Sequence, residues 1–257
     1  MYDWFGLVGL FFVGVAAGAI NSVAGGGILL AFPSLVAFGE SEIVSNATST
    51  AAMWPGTLSS AIGYRKDTAV DYRLLISLAI PSLIGGLVGA MILVITPETT
   101  FKRVVPFLVL FATLVLASRD LIFRRFSGHV AGEEHVTKSA RICGGLFQFF
   151  VATYGGYFGA GIGILMLASL SFMGLRDIHK MNAIKTPLST ITNLTAFAFF
   201  ALKGLVVWRL ALVVAVGTIT GGYVGARLAK RVNPRLLYFC VVIIGLLVSG
   251  WFFARSF

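Results

Sequence analysis

The residues of this sequence that could act on a ligand are glycines and small polar side chains inside long uncharged runs. They are concentrated in Asn21–Leu30, NSVAGGGILL, and in Gly155–Gly163, GGYFGAGIG. Glycine is about 1 kcal/mol per residue less favourable than alanine in a helix, so each stretch predicts a helix break. Broken backbone at membrane depth is tolerated only where protein or a water-filled cavity covers it. Two breaks in corresponding places predict a transporter's binding site.

The chemistry offered at these breaks favours an anion. All ten Asp and Glu residues of the chain fall in loops or at the ends of the apolar runs. A proton or cation pump usually carries an intramembrane carboxylate, so this distribution argues against a cation pathway. Helix N-termini present unpaired N–H groups and about half a positive charge, which suits an anionic ligand. The alternative interpretation is that the glycines only allow helices to pack closely.

Two short blocks, Asn46–Thr50 (NATST) and Asn182–Thr186 (NAIKT), share an asparagine and a threonine at the same spacing. Each block predicts a helix N-terminus with an asparagine cap. Capping alone is one interpretation. The other interpretation adds that the polar side chains of both blocks face the broken segments and contact the anion.

Lys185 is the most informative single residue, because it is expected one turn into an apolar segment. Its ammonium group would balance the charge of a sulfonate. The competing interpretation is that the side chain extends to the cytoplasmic interface while its stem stays in apolar surroundings. Asn193, two turns further along, would hydrogen-bond across helices or line a path.

The predicted substrate site contains no catalytic residue and consists of Asn21, Gly25, Gly26, Gly27, Asn46, Thr48, Ser49, Thr50, Gly159, Gly161, Gly163, Asn182, Lys185, Thr186 and Asn193. His129, His135 and His179 lie in loops, and Cys143 and Cys240 are isolated in apolar segments. This spacing predicts neither a metal site nor a cofactor. An intramembrane enzyme would need a buried nucleophile and base or a metal set, and the sequence offers neither.

The elements that must position this site are apolar helices. Of the 257 residues, 58% are hydrophobic and 12% are charged, whereas a soluble domain is about 25% charged. Most uncharged runs approach the roughly 17–25 residues that span a bilayer as a helix. The sequence predicts an all-α polytopic membrane protein with about ten membrane segments: 4–20, 24–38, 45–64, 74–95, 101–119, 141–157, 160–175, 182–202, 207–228 and 235–254. Segments 24–38 and 160–175 are short enough to be re-entrant or half-helices.

The two halves of the chain repeat each other with an offset of 136 residues. The matches include Gly25 and Gly161, Gly27 and Gly163, Asn46 and Asn182, Thr50 and Thr186, Arg73 and Arg209, Gly85 and Gly221, and Gly89 and Gly225. So many glycines in one register indicate an internal duplication. The predicted domains are a first transmembrane repeat of residues 1–123, a cytoplasmic connector of residues 124–139 and a second transmembrane repeat of residues 140–257.

The distribution of lysine and arginine predicts how the repeats are oriented. If each half crosses the membrane an odd number of times, one side carries 15 of the 20 cations and the other carries Lys102, Arg103, Lys203, Arg209 and Arg255. Four crossings in each half would divide the cations almost evenly. The positive-inside rule therefore predicts two inverted repeats of five segments, with both termini periplasmic. The net charge of +10 is explained by these loops rather than by nucleic-acid binding.

The sequence resembles the TauE/SafE family of sulfite and organosulfur anion permeases over nearly its whole length. The similarity lies in NSVAGGGILLAFPSLVAFG followed by SNATST, in GGYFGAGIGILMLASLSFMG followed by MNAIKTPLSTITN, and in GG-x-VGA after each. The resemblance implies transport of sulfite, sulfoacetate or a related anion across a bacterial inner membrane. The twofold pattern is broken at Asn21, which is matched by Tyr157, and at Ser49, which is matched by Lys185.

The sequence thus predicts a secondary transporter in the lipid bilayer of the inner membrane, with a small anion as its substrate. Export is the favoured direction, because the membrane potential drives an anion outward. An anion channel of the same fold is the alternative. The coupling ion and the oligomeric state stay open, a homo-oligomer included.

Overall fold

The computed structural model describes residues 4–23, 25–65, 72–118, 138–175, 177–229 and 234–256. Ten helices lie within these ranges: α1 (Trp4–Val23), α2 (Ile28–Ala37), α3 (Glu42–Arg65), α4 (Tyr72–Ile95), α5 (Glu98–Ala117), α6 (Lys138–Tyr157), α7 (Ile162–Phe172), α8 (Ile178–Leu202), α9 (Trp208–Leu228) and α10 (Pro234–Ser256). Each helix overlaps one of the segments predicted from the sequence. Residues 124–137 of the predicted connector lie outside the described residues.

Five of these helices are long and apolar enough to cross a membrane. They are α1, α4, α5, α9 and the Phe239–Ser256 part of α10. Large apolar side chains also cover the outer surface, where Phe5 is 89% exposed, Leu247 70% and Ile76 64%. Soluble monomers rarely expose apolar surface on this scale, whereas lipid-facing helices require it. The described helices are those of a polytopic membrane protein.

Both predicted helix breaks are present. The chain leaves helical geometry between Val23 and Ile28, and again between Tyr157 and Ile162. Three glycines in these breaks, Gly25, Gly159 and Gly161, have φ between +75° and +78°. Side chains with a Cβ rarely adopt this left-handed region, which is why glycine occupies all three positions.

The short helices α2 and α7 turn back along the helix that precedes them. At the start of α2, Gly27 lies against Ala17, and just past its end Phe38 lies against Gly6. In the second half Met173, just past the end of α7, likewise lies against Gly144 near the start of α6. With 10 and 11 residues, α2 and α7 extend about 15 Å, roughly half the thickness of a bilayer's hydrocarbon core.

Close glycine contacts show that helices from the two halves run parallel in two pairs. Gly14 of α1 lies against Gly217 of α9. One turn later in both helices, Gly18 lies against Gly222. Helices α4 and α6 are paired in the same way, with contacts of Gly85 with Phe149 and of Gly89 with Thr153. Small residues let these backbones approach closely, as predicted for the glycine-x-x-x-glycine spacings.

Two other pairs of helices run antiparallel. The Thr48 hydroxyl, near the start of α3, accepts a hydrogen bond at 3.1 Å from Val207 N, just beyond the end of α8. At the other end of α3, Tyr64 packs in one cluster with Ala183, near the start of α8. Helices α5 and α10 are joined by hydrogen bonds of 3.2 Å that give the same direction, from Ser249 to Pro106 O and from Ser256 to Lys102 O.

The buried core surrounds α2 and the second break. Phe32 of α2 packs edge-on against Phe158 at 5.3 Å and stacks on Phe252 at 5.4 Å between ring centroids. Phe101 of α5 packs against Phe158 from another side. All four rings are fully buried, so they fix α2 against α5 and α10.

The prediction that Asn46 and Asn182 cap helices is wrong. Helix α3 begins one turn earlier, at Glu42, and α8 begins at Ile178. Asp177 caps α8 instead, because its carboxylate accepts a hydrogen bond of 2.8 Å from the backbone N–H of His179. Both asparagines therefore lie inside their helices, and their side chains are available for contacts with other elements.

Candidate functional site

The two helix breaks meet at one point. The backbones of Gly25 and Gly163 are in contact, and a Cβ on either residue would overlap the other's backbone. We call this contact the glycine crossing. It explains why both positions are glycine: the contact needs two backbones closer together than any side chain allows.

Two helix N-termini point to the glycine crossing. Gly27 precedes the first residue of α2 and Gly161 precedes the first residue of α7, and neither helix has a side-chain cap. The N–H groups of a first helical turn lack the acceptor four residues earlier in their own helix. Some are bonded to the break itself, with Leu29 N donating to Gly26 O at 3.0 Å and Ile162 N to Gly159 O at 3.3 Å. The positive ends of two helix dipoles therefore lie beside the crossing, which is the arrangement that binds anions.

Lys185 brings a charge to the same place. Its side chain is 1% exposed, and its Cδ would lie 3.4 Å from a Cβ added at Gly163. The ammonium group donates to Ser22 O at 3.2 Å and to Asn21 O at 3.4 Å. Because these contacts hold Lys185 inside the protein, the interpretation that its charge extends to the cytoplasmic interface is wrong. It also lies two turns into α8 rather than one.

The carbonyl groups at the end of α1 hold this ammonium. Ser22 O also accepts a hydrogen bond of 3.3 Å from the Tyr64 hydroxyl of α3. The last carbonyls of a helix lack partners in their own helix and carry the negative end of its dipole. Lys185 therefore compensates the end of α1 and can reach the glycine crossing from the same position.

Asn46 makes the corresponding contact in the other half. Its Nδ2 donates to Tyr157 O, at the end of α6, at 2.9 Å. Tyr157 is the counterpart of Asn21 at the 136-residue offset. The third helix of each half thus binds the end of the first helix of the other half, once through a neutral amide and once through an ammonium group.

The remaining hydroxyl residues of the predicted site are buried and hydrogen-bonded locally. Ser49, Thr50 and Thr186 each donate to the carbonyl four residues earlier in their own helix, at 2.7, 2.9 and 3.0 Å. Such bonds satisfy a hydroxyl donor inside an apolar environment. Their oxygens still have lone pairs, so these groups can accept but are not free to donate.

The predicted site residues do not form one cluster in the structure. The start of α3 lies beside the end of α8, so Asn46 and Lys185 occupy opposite ends of this helix pair. A rise of 1.5 Å per residue places Tyr64 about 24 Å along α3 from Thr48. The crossing group contains Asn21, Gly25, Gly27, Gly163 and Lys185, whereas the group at the end of α6 contains Asn46 and Thr48.

Several predicted residues lie outside both groups. Gly26 is buried against Val241 and Leu116 rather than against the second break. Asn182 and Asn193 are 4% and 3% exposed, and their Oδ1 atoms have no hydrogen-bond partner among the described residues. Lys185 and Asn193 are two turns apart, so both asparagines extend the polar face of α8 that carries the ammonium group.

Sequence reasoning missed one buried carboxylate. Glu42 is only 6% exposed, although its neighbours in GESE suggest a solvated loop. A second buried contact was also missed, from Gln148 Nε2 of α6 to the Ser82 hydroxyl of α4 at 2.9 Å. Neither residue carries a local signal of burial, because the helices that cover them are distant in sequence.

The family profile described as "Sulfite exporter TauE/SafE" matches residues 10–252. A probable membrane transporter protein of Haemophilus influenzae is 27% identical over 252 residues, covering 95% of each chain. The probable membrane transporter protein YfcA of Escherichia coli K12 is 29% identical over 251 residues, covering 94% of this chain and 87% of that one. YunE of Bacillus subtilis, named in the same way, is 23% identical over 258 residues, covering 93% and 94%. No solved structure matches the chain.

Proposed function

Because this chain belongs to the TauE/SafE sulfite exporter family, we propose that it is a secondary transporter that exports a small organosulfur or sulfite-type anion. The membrane would be the bacterial inner membrane. The relatives described above are named as probable membrane transporters, which supports the general activity. The substrate class is supported by the family's description together with the residues at the glycine crossing.

The observation that carries the proposal is the buried ammonium of Lys185 beside two helix N-termini. Lys185 is the one buried lysine or arginine among the described side chains. A charge taken out of water is unfavourable unless it is paired, and among the described residues its only hydrogen-bond partners are two carbonyl groups. A sulfonate or sulfite at the crossing would pair with the full charge and accept hydrogen bonds from the α2 and α7 N-termini.

The same proposal includes two inverted repeats, residues 1–123 and 140–257, joined by a cytoplasmic connector. Helices that correspond between the halves, α3 with α8 and α5 with α10, run antiparallel. This direction is expected when the twofold axis lies in the membrane plane. The distribution of cations supports termini on the periplasmic side. The halves would rock about the crossing to expose the anion to each side in turn.

The export direction follows from the charge of the substrate. A negative interior drives an anion outward with about 2.3 kcal/mol per charge per 100 mV. The described buried side chains include one lysine but no arginine, which suits a singly charged anion.

The first test measures ligand binding by thermal unfolding of the purified protein. Sulfite, sulfoacetate, taurine, sulfate and thiosulfate are added in turn, and a true ligand raises the unfolding temperature by mass action. Lys185→Met keeps the length of the side chain but removes its charge. It should lower the affinity for the anion by about tenfold or more, since a hydrogen bond to a charged group contributes about 1.5–3 kcal/mol. The affinity is read from the anion concentration needed to raise the unfolding temperature. Lys203→Met is the control, because Lys203 is exposed at the end of the same helix.

Stabilisation that is equal in both variants and in the wild type would remove Lys185 from the site. If no anion of the panel stabilises the wild type, the substrate class is wrong. Counterflow in vesicles then distinguishes a carrier from the alternative of an anion channel: a carrier exchanges labelled for unlabelled anion, whereas a channel gives flux without counterflow.

A further inference from the structure

The start of α3 carries two buried oxygen atoms that accept no hydrogen bond. Glu42 and Asn46 are 6% and 0% exposed. Glu42 Oε1 and Asn46 Oδ1 have no hydrogen-bond partner among the described residues. Residues four apart on a helix lie on the same face, with their Cβ atoms about 5–6 Å apart. The two side chains therefore extend from one face of α3, one helical turn apart.

The orientation of the Asn46 amide is fixed by its neighbour. Nδ2 donates to Tyr157 O at 2.9 Å. Rotating the amide by half a turn would place two oxygens against each other at that distance, so Oδ1 is correctly assigned as the free atom. A buried acceptor without a partner is unfavourable, and a buried carboxylate oxygen without one is more so. A positively charged ligand would supply a partner for both oxygens.

The third helices of the two halves carry buried side chains of opposite charge near their N-terminal ends, Glu42 in α3 and Lys185 in α8. At the end of α1 the resident cation is Lys185, and the counterpart of Glu42 in that half is Ile178. At the end of α6 the counterpart of Lys185 is Ser49, which brings no charge, and the carboxylate of Glu42 stands one turn before Asn46. The first half thus supplies a carboxylate where the second half has an isoleucine, and no lysine or arginine among the described residues pairs with Glu42 Oε1.

We propose that Glu42 and Asn46, together with the carbonyl end of α6, form a binding site for an alkali cation such as Na⁺. Carboxylate, amide and main-chain oxygens are the ligands that hard cations prefer. Carbonyl groups at the C-terminal ends of interrupted helices coordinate coupling ions in other transporters. Glu98 adds negative charge nearby, since its Oε1 accepts a hydrogen bond of 3.1 Å from Ile43 N. The site stands on this geometry, whereas its role as the coupling-ion site rests on the proposed transport function.

The test is a Na⁺ titration of the purified full-length protein without any substrate anion. The unfolding temperature is measured in sodium gluconate and in N-methylglucamine gluconate at equal ionic strength. We expect a saturable rise with Na⁺ and none with the organic cation. Glu42→Gln should lower the apparent affinity for Na⁺ by about tenfold or more, because charged ligands set the affinity of such sites.

Asp177→Asn is the matched control: it removes an exposed carboxylate at the start of α8, at the other end of the α3/α8 pair, but keeps an oxygen that can accept from His179 N. It should leave the Na⁺ response within about twofold of the wild type, because long-range surface charge is screened by salt. If Glu42→Gln does not fold, Asn46→Ser is titrated in its place and should also weaken the response.

Equal stabilisation by Na⁺ and the organic cation would overturn the proposal, as would an unchanged Na⁺ titration of Glu42→Gln. An equal response to K⁺ supports an unselective alkali-cation site. The anion panel, repeated in N-methylglucamine buffer, tests the proposed function separately. Anion binding without a Na⁺ effect therefore refutes only the cation site, and a Na⁺ effect without anion binding refutes only the substrate.

Discussion

At the scale of single residues, the molecule buries two opposite charges far from each other. Lys185 is buried at the end of α1 and Glu42 is buried at the start of α3. Neither is close to the other, because α3 and α8 run antiparallel. In the two proposals above, Lys185 would bind the anion at the glycine crossing and Glu42 would bind the cation at the start of α3.

The hydrogen bond from Asn46 to the end of α6 can be tested by substitution. Asn46→Ala removes the hydrogen bond to Tyr157 O and leaves that carbonyl buried. We expect the protein to lose about 1–3 kcal/mol of stability and anion flux in vesicles to fall. Thr57→Val is the control, because among the described residues the buried Thr57 hydroxyl bonds only within its own helix, to Trp54 O. Unfolding temperatures and flux that are the same for both variants would show that the contact with α6 contributes nothing.

At the scale of elements, glycine decides where the helices stop and how closely the breaks approach. Gly25 needs both a positive φ and space against Gly163. Gly163 lies in the first turn of α7 and needs only the space. In the second break, Gly159 and Gly161 have positive φ.

Gly163→Ala tests the glycine crossing. The added methyl group would overlap the Gly25 backbone, so one break must shift. Overpacking of this kind costs about 1–3 kcal/mol, and we expect flux to fall more than stability because the N-terminus of α7 is displaced. The matched variant is Gly26→Ala, whose methyl group would meet its nearest neighbour, Val241, at an ordinary 3.6 Å. Transport by Gly163→Ala at the wild-type rate would show that the crossing is not part of the path.

At the scale of the whole molecule, the halves interlock rather than sit side by side. The first helix of each half packs against the fourth helix of the other half, α1 against α9 and α6 against α4. The third helices contact each other through Trp54 and Phe197, and α3 also packs against α9 and α8 against α4. Because Gly25 of the first half lies against Gly163 of the second, the proposed rocking of one half would change contacts at both breaks.

The inverted arrangement makes a prediction about accessibility. In a background with Cys143 and Cys240 replaced by alanine, Ser41→Cys lies after α2 and Lys180→Cys lies at the start of α8. If the repeats are inverted, a membrane-impermeant thiol reagent added to whole cells should label only Ser41→Cys. Inside-out vesicles should give the opposite pattern, since these positions would face opposite sides. Labelling of both from one side would mean that the repeats are parallel.

The positions of the helix breaks and of the apolar segments can be predicted from the sequence alone. Both breaks lie where the glycines predicted them, and each helix overlaps a predicted segment, because hydropathy and backbone freedom are local properties. The helix starts predicted at Asn46 and Asn182 lie one turn too late, because α3 begins at Glu42 and α8 at Ile178. In α8 the cap is Asp177 rather than an asparagine.

The hydrogen-bond partners of the polar side chains, in contrast, are visible only in the tertiary structure. Lys185 bonds a carbonyl 163 residues away and Asn46 one 111 residues away, and no local pattern specifies such partners. Burial of Glu42 depends on helices packed from elsewhere in the chain. The physical reason is that contact and burial are set by how helices cross, whereas helix formation is set by neighbours along the chain.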